Sequence, residues 1–169
     1  MLIRYCKAGL VAAMALLMAL VTFNNIADYG ANWDFVRHVL AMDSIFPHST
    51  QLWRAIPWEP AQRLAYLLII AAEGLSATLL TLGAARLLRR ARDVEAFEAA
   101  LGVPVAGLTA AMLLYGAGFV AIGGEWFLMW QSSTWGGTDA AARFFLLHAA
   151  VLVILLTGQG SAPRRDDKA

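Results

Sequence analysis

The chain has 169 residues with a net charge of +1, and 60% of its residues are hydrophobic. Soluble domains are closer to half apolar, and here the apolar residues form long blocks with the charges between them. The near-neutral charge and the lack of a basic stripe with interleaved aromatic residues exclude nucleic acid as a partner. The single cysteine, Cys6, excludes an internal disulfide and a cysteine-based metal cluster.

Four apolar blocks are each long enough to cross a bilayer, whose hydrocarbon core of about 30 Å needs roughly 20 helical residues. They cover about residues 8–27, 64–88, 103–122 and 140–158. The first block is too long for the core of a signal peptide, and no small-x-small cleavage site follows it. The sequence therefore predicts one all-α integral membrane domain over residues 1–169, a four-transmembrane-helix bundle with a disordered tail at 159–169.

Lysine and arginine predict the orientation, because cytoplasmic flanks carry an excess of both. If both termini are cytoplasmic, the inner flanks hold nine of these residues and the outer segments hold four. All six tryptophans then fall on the outer side. An interfacial belt is the commonest use of tryptophan in membrane proteins; the alternative is an aromatic interaction surface formed by Trp33, Trp53, Trp58, Trp126, Trp130 and Trp135.

The first outer loop, residues 28–62, is expected to be helical. Asn32 is a candidate cap for a helix over WDFVRHVLAMD, whose apolar side suits a helix lying on the membrane or on the bundle. A second short helix, TQLWRAI, ends before Pro57. The sequence therefore predicts a helical periplasmic cap over the bundle. In the second outer segment, Gly123 and Gly124 are expected to loosen the third helix.

Glu73 is the most informative polar residue, because a carboxyl group inside a membrane helix is energetically costly and normally faces the bundle interior. Its role is either a proton or ligand site or a purely structural hydrogen-bonded group. The depths of Asn24, Asn25, Glu125 and His148 allow them to join Glu73 in a polar pocket in the outer half of the bundle. Depth alone does not say which way each side chain points.

No catalytic or metal-binding motif is visible. The sequence lacks a GxSxG elbow and an HExxH pair, and His38 and His48 lack the spacing of known zinc sites. Haem ligation would need a second intramembrane histidine beside His148. We therefore expect no cofactor, no metal and no enzymatic activity.

Several stretches resemble a known family: FNNIADYG, FVRHVLAMDSIFP, LWRAI, IGGEWFLMWQSSTW and AARFF. Together they resemble, over about residues 1–158, a bacterial family of predicted small integral membrane proteins of unknown function. The resemblance implies four helices in the bacterial inner membrane, and it implies no catalytic residue.

Two functions remain open. The first is a non-catalytic accessory subunit, which lies in the lipid bilayer and docks a larger membrane or periplasmic complex through its aromatic outer side. Aromatic residues are enriched in the cores of such interfaces. The alternative is a binding or proton-linked site for a small ligand, quinone or lipid in the outer half of the bundle.

Overall fold

A computed structural model describes residues 1–157 of the chain, so the predicted tail at 159–169 lies outside the described residues. The described part is predominantly helical, with two short 3₁₀ turns in the loops. The elements are α1 (Leu2–Ala27), α2 (Tyr29–Ala41), the turn Leu52–Arg54, α3 (Glu59–Arg90), α4 (Val94–Ala99), α5 (Gly102–Met112), a π-helical segment (Leu113–Trp126), the turn Met129–Gln131 and α6 (Thr138–Leu156).

Four helical stretches are long and apolar enough to cross a membrane: Leu2–Ala27, Glu59–Arg90, Val94–Trp126 and Thr138–Leu156. The predicted all-α bundle of four membrane-spanning helices is confirmed. The second spanning helix begins at Glu59 rather than near Leu64, because Pro60 lies in its first turn, where a missing backbone N–H breaks no helical hydrogen bond.

Close packing of small residues joins α3 and α5. A Cβ atom added to Gly83 would lie 2.7 Å from the Cβ of Pro104, and one added to Gly107 would lie 2.9 Å from the Cγ of Leu80. The Ser76 hydroxyl donates to the Gly107 carbonyl over 2.9 Å. Small residues therefore let these two backbones approach closely, which is the usual basis of helix association in membranes.

Both described chain ends lie at the same end of the bundle, which we call the terminal end. Arg4 Nε donates to the carbonyl of Ala91, just after α3, over 2.6 Å. Lys7 Nζ donates to the carbonyls of Leu155 (3.0 Å) and Thr157, at the end of α6. Each cation thus satisfies carbonyls at a helix C-terminus, where positive charge is favourable.

The opposite end, which we call the loop end, carries α2 and the connections 42–58 and 127–137. Helix α2 begins at Tyr29, before the predicted cap Asn32, whose side chain instead donates to the Asp28 carbonyl over 3.2 Å. A small second core joins the two connections: it contains Val39, Met42, Phe127 and Met129. The expected helix over TQLWRAI is reduced to the turn Leu52–Arg54.

The third spanning helix changes from α- to π-helical hydrogen bonding at Leu113. The last such bond runs from the Phe127 N–H to the Ile122 carbonyl over 3.0 Å, five residues back. Gly123 and Gly124 are buried in this segment, where glycine had been expected to loosen the helix. The π-helix is rare, and the single-turn π-bulges that are its usual form are frequently found at functional sites.

Candidate functional site

A buried carboxyl group lies near the middle of α3. Glu73 is 2% exposed, and its Oε2 accepts a hydrogen bond of 2.7 Å from Asn25 Nδ2 of α1. Its Oε1 accepts a longer bond of 3.5 Å from the Tyr115 hydroxyl of the π-helical segment. Three spanning helices therefore meet at one carboxyl group.

Tyr66, which was not among the residues predicted for the polar pocket, extends this hydrogen-bond network. It is fully buried, and its hydroxyl donates to the backbone carbonyl of Asn25 over 2.8 Å. Its position two helical turns before Glu73 places both residues on one face of α3, which is a signal that sequence reasoning could have used. Tyr115 carried no such signal, because it belongs to a different helix.

The network borders a cavity of about 250 Å³ towards the loop end. Among the residues that line it, Asn25, Tyr66, Glu73 and Tyr115 belong to the network, and Asn32 of α2 adds another amide. The remaining lining is apolar: Val21, Phe35, Val36, Ile69, Phe119, Gly137, Ala140, Ala141 and Phe144. The site is therefore a mainly apolar cavity with a cluster of polar groups, as is usual for small-molecule sites.

His148 lies beside this network rather than in the cavity wall. It is fully buried, its Nδ1 is 2.7 Å from the Phe144 carbonyl, and its Nε2 has no hydrogen-bond partner within residues 1–157. Its ring is tilted by 28° from that of Tyr115, with 6.3 Å between the ring centres. Tyr115 therefore packs against His148 with its ring and hydrogen-bonds Glu73 with its hydroxyl.

Asn24 and Glu125 lie outside the cavity. Both side chains are exposed. Successive helical residues point about 100° apart, so only one of the adjacent pair Asn24 and Asn25 faces α3. Glu125 lies beside Trp126 in a separate surface depression. Of the five residues considered for the pocket, the structure thus brings Asn25 and Glu73 together and places His148 next to them.

The six tryptophans all lie towards the loop end, in two environments. Trp33 and Trp135 are partly buried: the ring of Trp33 lies 6.3 Å from that of Tyr66, and Trp135 stacks on His38 at 4.7 Å. The other four are 46–70% exposed: Trp53, Trp58, Trp126 and Trp130.

Two of these exposed rings flank an arginine. The Arg54 guanidinium carbon lies 5.4 Å from the ring centre of Trp53 and 4.8 Å from that of Trp126. Both distances suit a cation–π interaction. This contact fixes two exposed indoles next to each other on the surface of the loop end.

His38, the histidine of α2, pairs with an aspartate close to it in the sequence. His38 Nδ1 lies 2.7 Å from Asp43 Oδ2. Within residues 1–157, no three histidine, cysteine, aspartate or glutamate side chains come close enough to hold a metal ion together.

Comparison with known proteins identifies a family to which the chain is similar. The model of a family described as predicted small integral membrane proteins (DUF2165) matches residues 3–157. No curated protein and no solved structure is significantly similar to the chain. The family match covers all four spanning helices and agrees with the resemblance that the aromatic motifs indicate. The chain therefore belongs to this family of predicted small integral membrane proteins.

Proposed function

We propose that this protein is a non-catalytic protein of the bacterial inner membrane that binds a small ligand in the cavity beside Glu73. The observation that carries the proposal is the buried carboxyl group of Glu73, which borders a cavity within a membrane-spanning bundle. A carboxyl group at such a position is energetically costly and is a functional-site hypothesis by default.

The hydrogen bonding of Glu73 leaves capacity for a ligand. A carboxylate has about four lone-pair positions, whereas the protein supplies only Asn25 Nδ2 and the distant Tyr115 hydroxyl. A group whose role was purely structural would be expected to face packed side chains. Glu73 faces a cavity of about 250 Å³ instead.

The lining supports binding rather than catalysis. The cavity wall holds one carboxyl group and two tyrosines, and no serine, cysteine or histidine lines it. Serine and cysteine nucleophiles are activated by an adjacent base, and no such pair lines the cavity. The side chains present are suited to holding a ligand by hydrogen bonds and apolar contact.

The test compares two matched substitutions, Glu73→Gln in the cavity and Glu125→Gln on the surface. Each protein is extracted with its surrounding lipid in polymer discs, and the bound small molecules are measured by mass spectrometry. We expect one small molecule enriched over the bulk lipid with the wild type and with Glu125→Gln. Its amount should fall up to about tenfold with Glu73→Gln, the change that the loss of one hydrogen bond produces. Identical small-molecule contents in all three samples would refute the proposal.

A second candidate function is docking of a larger membrane or periplasmic complex, with this protein as an accessory subunit. The exposed indoles of Trp53 and Trp126, held together by Arg54, support it, because tryptophan and arginine are enriched at interaction hot spots. An interfacial belt explains exposed tryptophans equally well, so this candidate ranks below ligand binding.

Site-specific photo-crosslinking in intact cells tests the docking surface. A photoreactive residue replaces Trp58 at the loop end or, as a control, Leu16, which is exposed in the middle of α1. Docking predicts one protein adduct at position 58 that disappears when Trp53 and Trp126 are changed to alanine. Adducts with lipid alone at both positions would contradict it.

A further inference from the structure

A second cavity of about 250 Å³ lies beside the first one. The two cavities share four wall residues: Phe35, Val36, Ile69 and Phe119. The lining of the second cavity consists only of apolar side chains and glycine, contributed by α2, α3, the π-helical segment and the connection after it. We call it the apolar cavity, and the one at Glu73 the polar cavity.

The apolar cavity opens towards the side of the bundle. Leu68 and Ile122 line it and are 60% and 53% exposed. Both belong to membrane-spanning stretches, so this opening faces hydrocarbon. A chain-like molecule in the lipid can therefore reach the apolar cavity without crossing water.

The polar cavity presents mainly hydrogen-bond acceptors. Its strongest donors are already engaged within the protein: Asn25 Nδ2 with Glu73, the Tyr66 hydroxyl with the Asn25 carbonyl, and the Tyr115 hydroxyl with Glu73. Each of the two asparagine amides keeps one N–H, but most of the unused capacity lies in acceptors, namely the carboxyl oxygens of Glu73 and the lone pairs of the tyrosine oxygens. A ligand head that donates hydrogen bonds suits this arrangement.

The charges around the two cavities further restrict which class of ligand head group can bind. No lysine, arginine or histidine lines either cavity, so no cation is available to balance a phosphate or carboxylate head. An anionic head would also find few free donors, because Asn25 Nδ2 and both tyrosine hydroxyls already donate within the protein, and a poorly solvated charge is energetically costly. These features disfavour anionic lipids and favour a neutral or cationic head.

We infer that the two cavities together bind one single-chain amphiphile, whose hydroxyl or amine head donates to Glu73 and whose hydrocarbon chain lies in the apolar cavity. This inference rests on the proposed function and names its ligand class. Each cavity alone, at about 250 Å³, is smaller than usual ligand sites. Together they fall within the range of roughly 300–1,000 Å³ that is typical of such sites.

The test uses the purified full chain in lipid nanodiscs and hexadecanol that carries a photoreactive diazirine in its chain. Unlabelled hexadecanol, hexadecylamine and palmitate serve as competitors. Gly118→Leu fills the apolar cavity: Gly118 lines it, and a Cβ there has its nearest contact at 3.7 Å, with Leu114. Gly9→Leu is the matched control, since a Cβ at Gly9 meets nothing within 4 Å.

We expect adducts on the π-helical segment and on α3 around Leu68. Labelling should fall about tenfold in both Glu73→Gln and Gly118→Leu, the change that about 1.4 kcal/mol of lost binding produces, and stay unchanged in Gly9→Leu. The alcohol and the amine should both compete, and their relative strength separates a neutral from a cationic head. Palmitate should compete weakly.

Failure of the inference is distinguishable from failure of the proposed function. If Glu73→Gln reduces labelling and Gly118→Leu does not, the polar cavity binds a ligand but the chain does not occupy the apolar cavity. If neither variant reduces labelling, the inference is overturned, whereas the proposed function fails only if the small-molecule contents of wild type, Glu73→Gln and Glu125→Gln are identical. Adducts spread evenly over the lipid-facing surface, with palmitate competing as well as hexadecanol, would show only partitioning into bulk lipid and would also overturn the inference.

Discussion

The hydrogen bond between Asn25 and Glu73 gives the sharpest test of the bundle interior. Replacing Asn25 by leucine removes the 2.7 Å donor to Oε2 and leaves Glu73 with only the 3.5 Å contact from Tyr115. Glu73 is 2% exposed, and Asn25 Nδ2 is the only donor within 3 Å of its carboxyl group among the described residues. We therefore expect Asn25→Leu to lower the free energy of unfolding by about 1–3 kcal/mol, the usual cost of an unsatisfied buried polar group.

A double-mutant cycle isolates this pair from the cavities and packing changes that each substitution introduces. The variants are Asn25→Leu, Glu73→Leu and the double variant. Each is unfolded reversibly by increasing the share of a denaturing detergent in a mixture with a mild one. Coupling energies between polar groups in membrane helices average about 0.6 and reach about 1.7 kcal/mol. Because this bond is short and involves a carboxyl group, we expect a value of about 1–1.7 kcal/mol.

The sign of the coupling energy between Asn25 and Glu73 is predicted as well. The double variant should lose less stability than the sum of the single variants, because replacing both partners by apolar groups leaves no orphaned polar atom. Additive losses, within about 0.3 kcal/mol, would refute the view that Asn25 and Glu73 form a unit. So would an Asn25→Leu variant that unfolds like the wild type.

Two further predictions concern packing and orientation. Gly83→Ala should lower the free energy of unfolding by about 1–3 kcal/mol, because its Cβ would lie 2.7 Å from the Cβ of Pro104 in α5. Gly102→Ala is the matched control in the same detergent unfolding assay, because a Cβ there would have no neighbour within 4 Å. If both termini are cytoplasmic, an impermeant maleimide added to spheroplasts should leave Cys6 unmodified. The same reagent should label a Ser133→Cys, Cys6→Ala variant, and the reverse pattern would invert the proposed topology.

The sequence by itself determined the architecture, because hydrophobicity and helix length are local properties. A run of about 20 apolar residues must satisfy its backbone hydrogen bonds internally once it is in lipid, and an α-helix does this without reference to the rest of the chain. The four spans and the depth of Glu73 could therefore be predicted. The apolar span predicted at 64–88 lies within the longer helix α3, which begins at Glu59 with proline in its first turn, a position to which proline is well suited.

Only the tertiary structure decided which polar side chains meet. Asn24 and Asn25 are indistinguishable by depth, and the rotation of α1 against α3 selects Asn25 as the partner of Glu73. The contact of Tyr115 with Glu73 depends on how two separate spanning helices pack. The two adjoining cavities likewise depend on where α2, α3 and the π-helical segment lie relative to one another. Helix rotation and separation are set by packing between elements distant in sequence, and no local pattern encodes them.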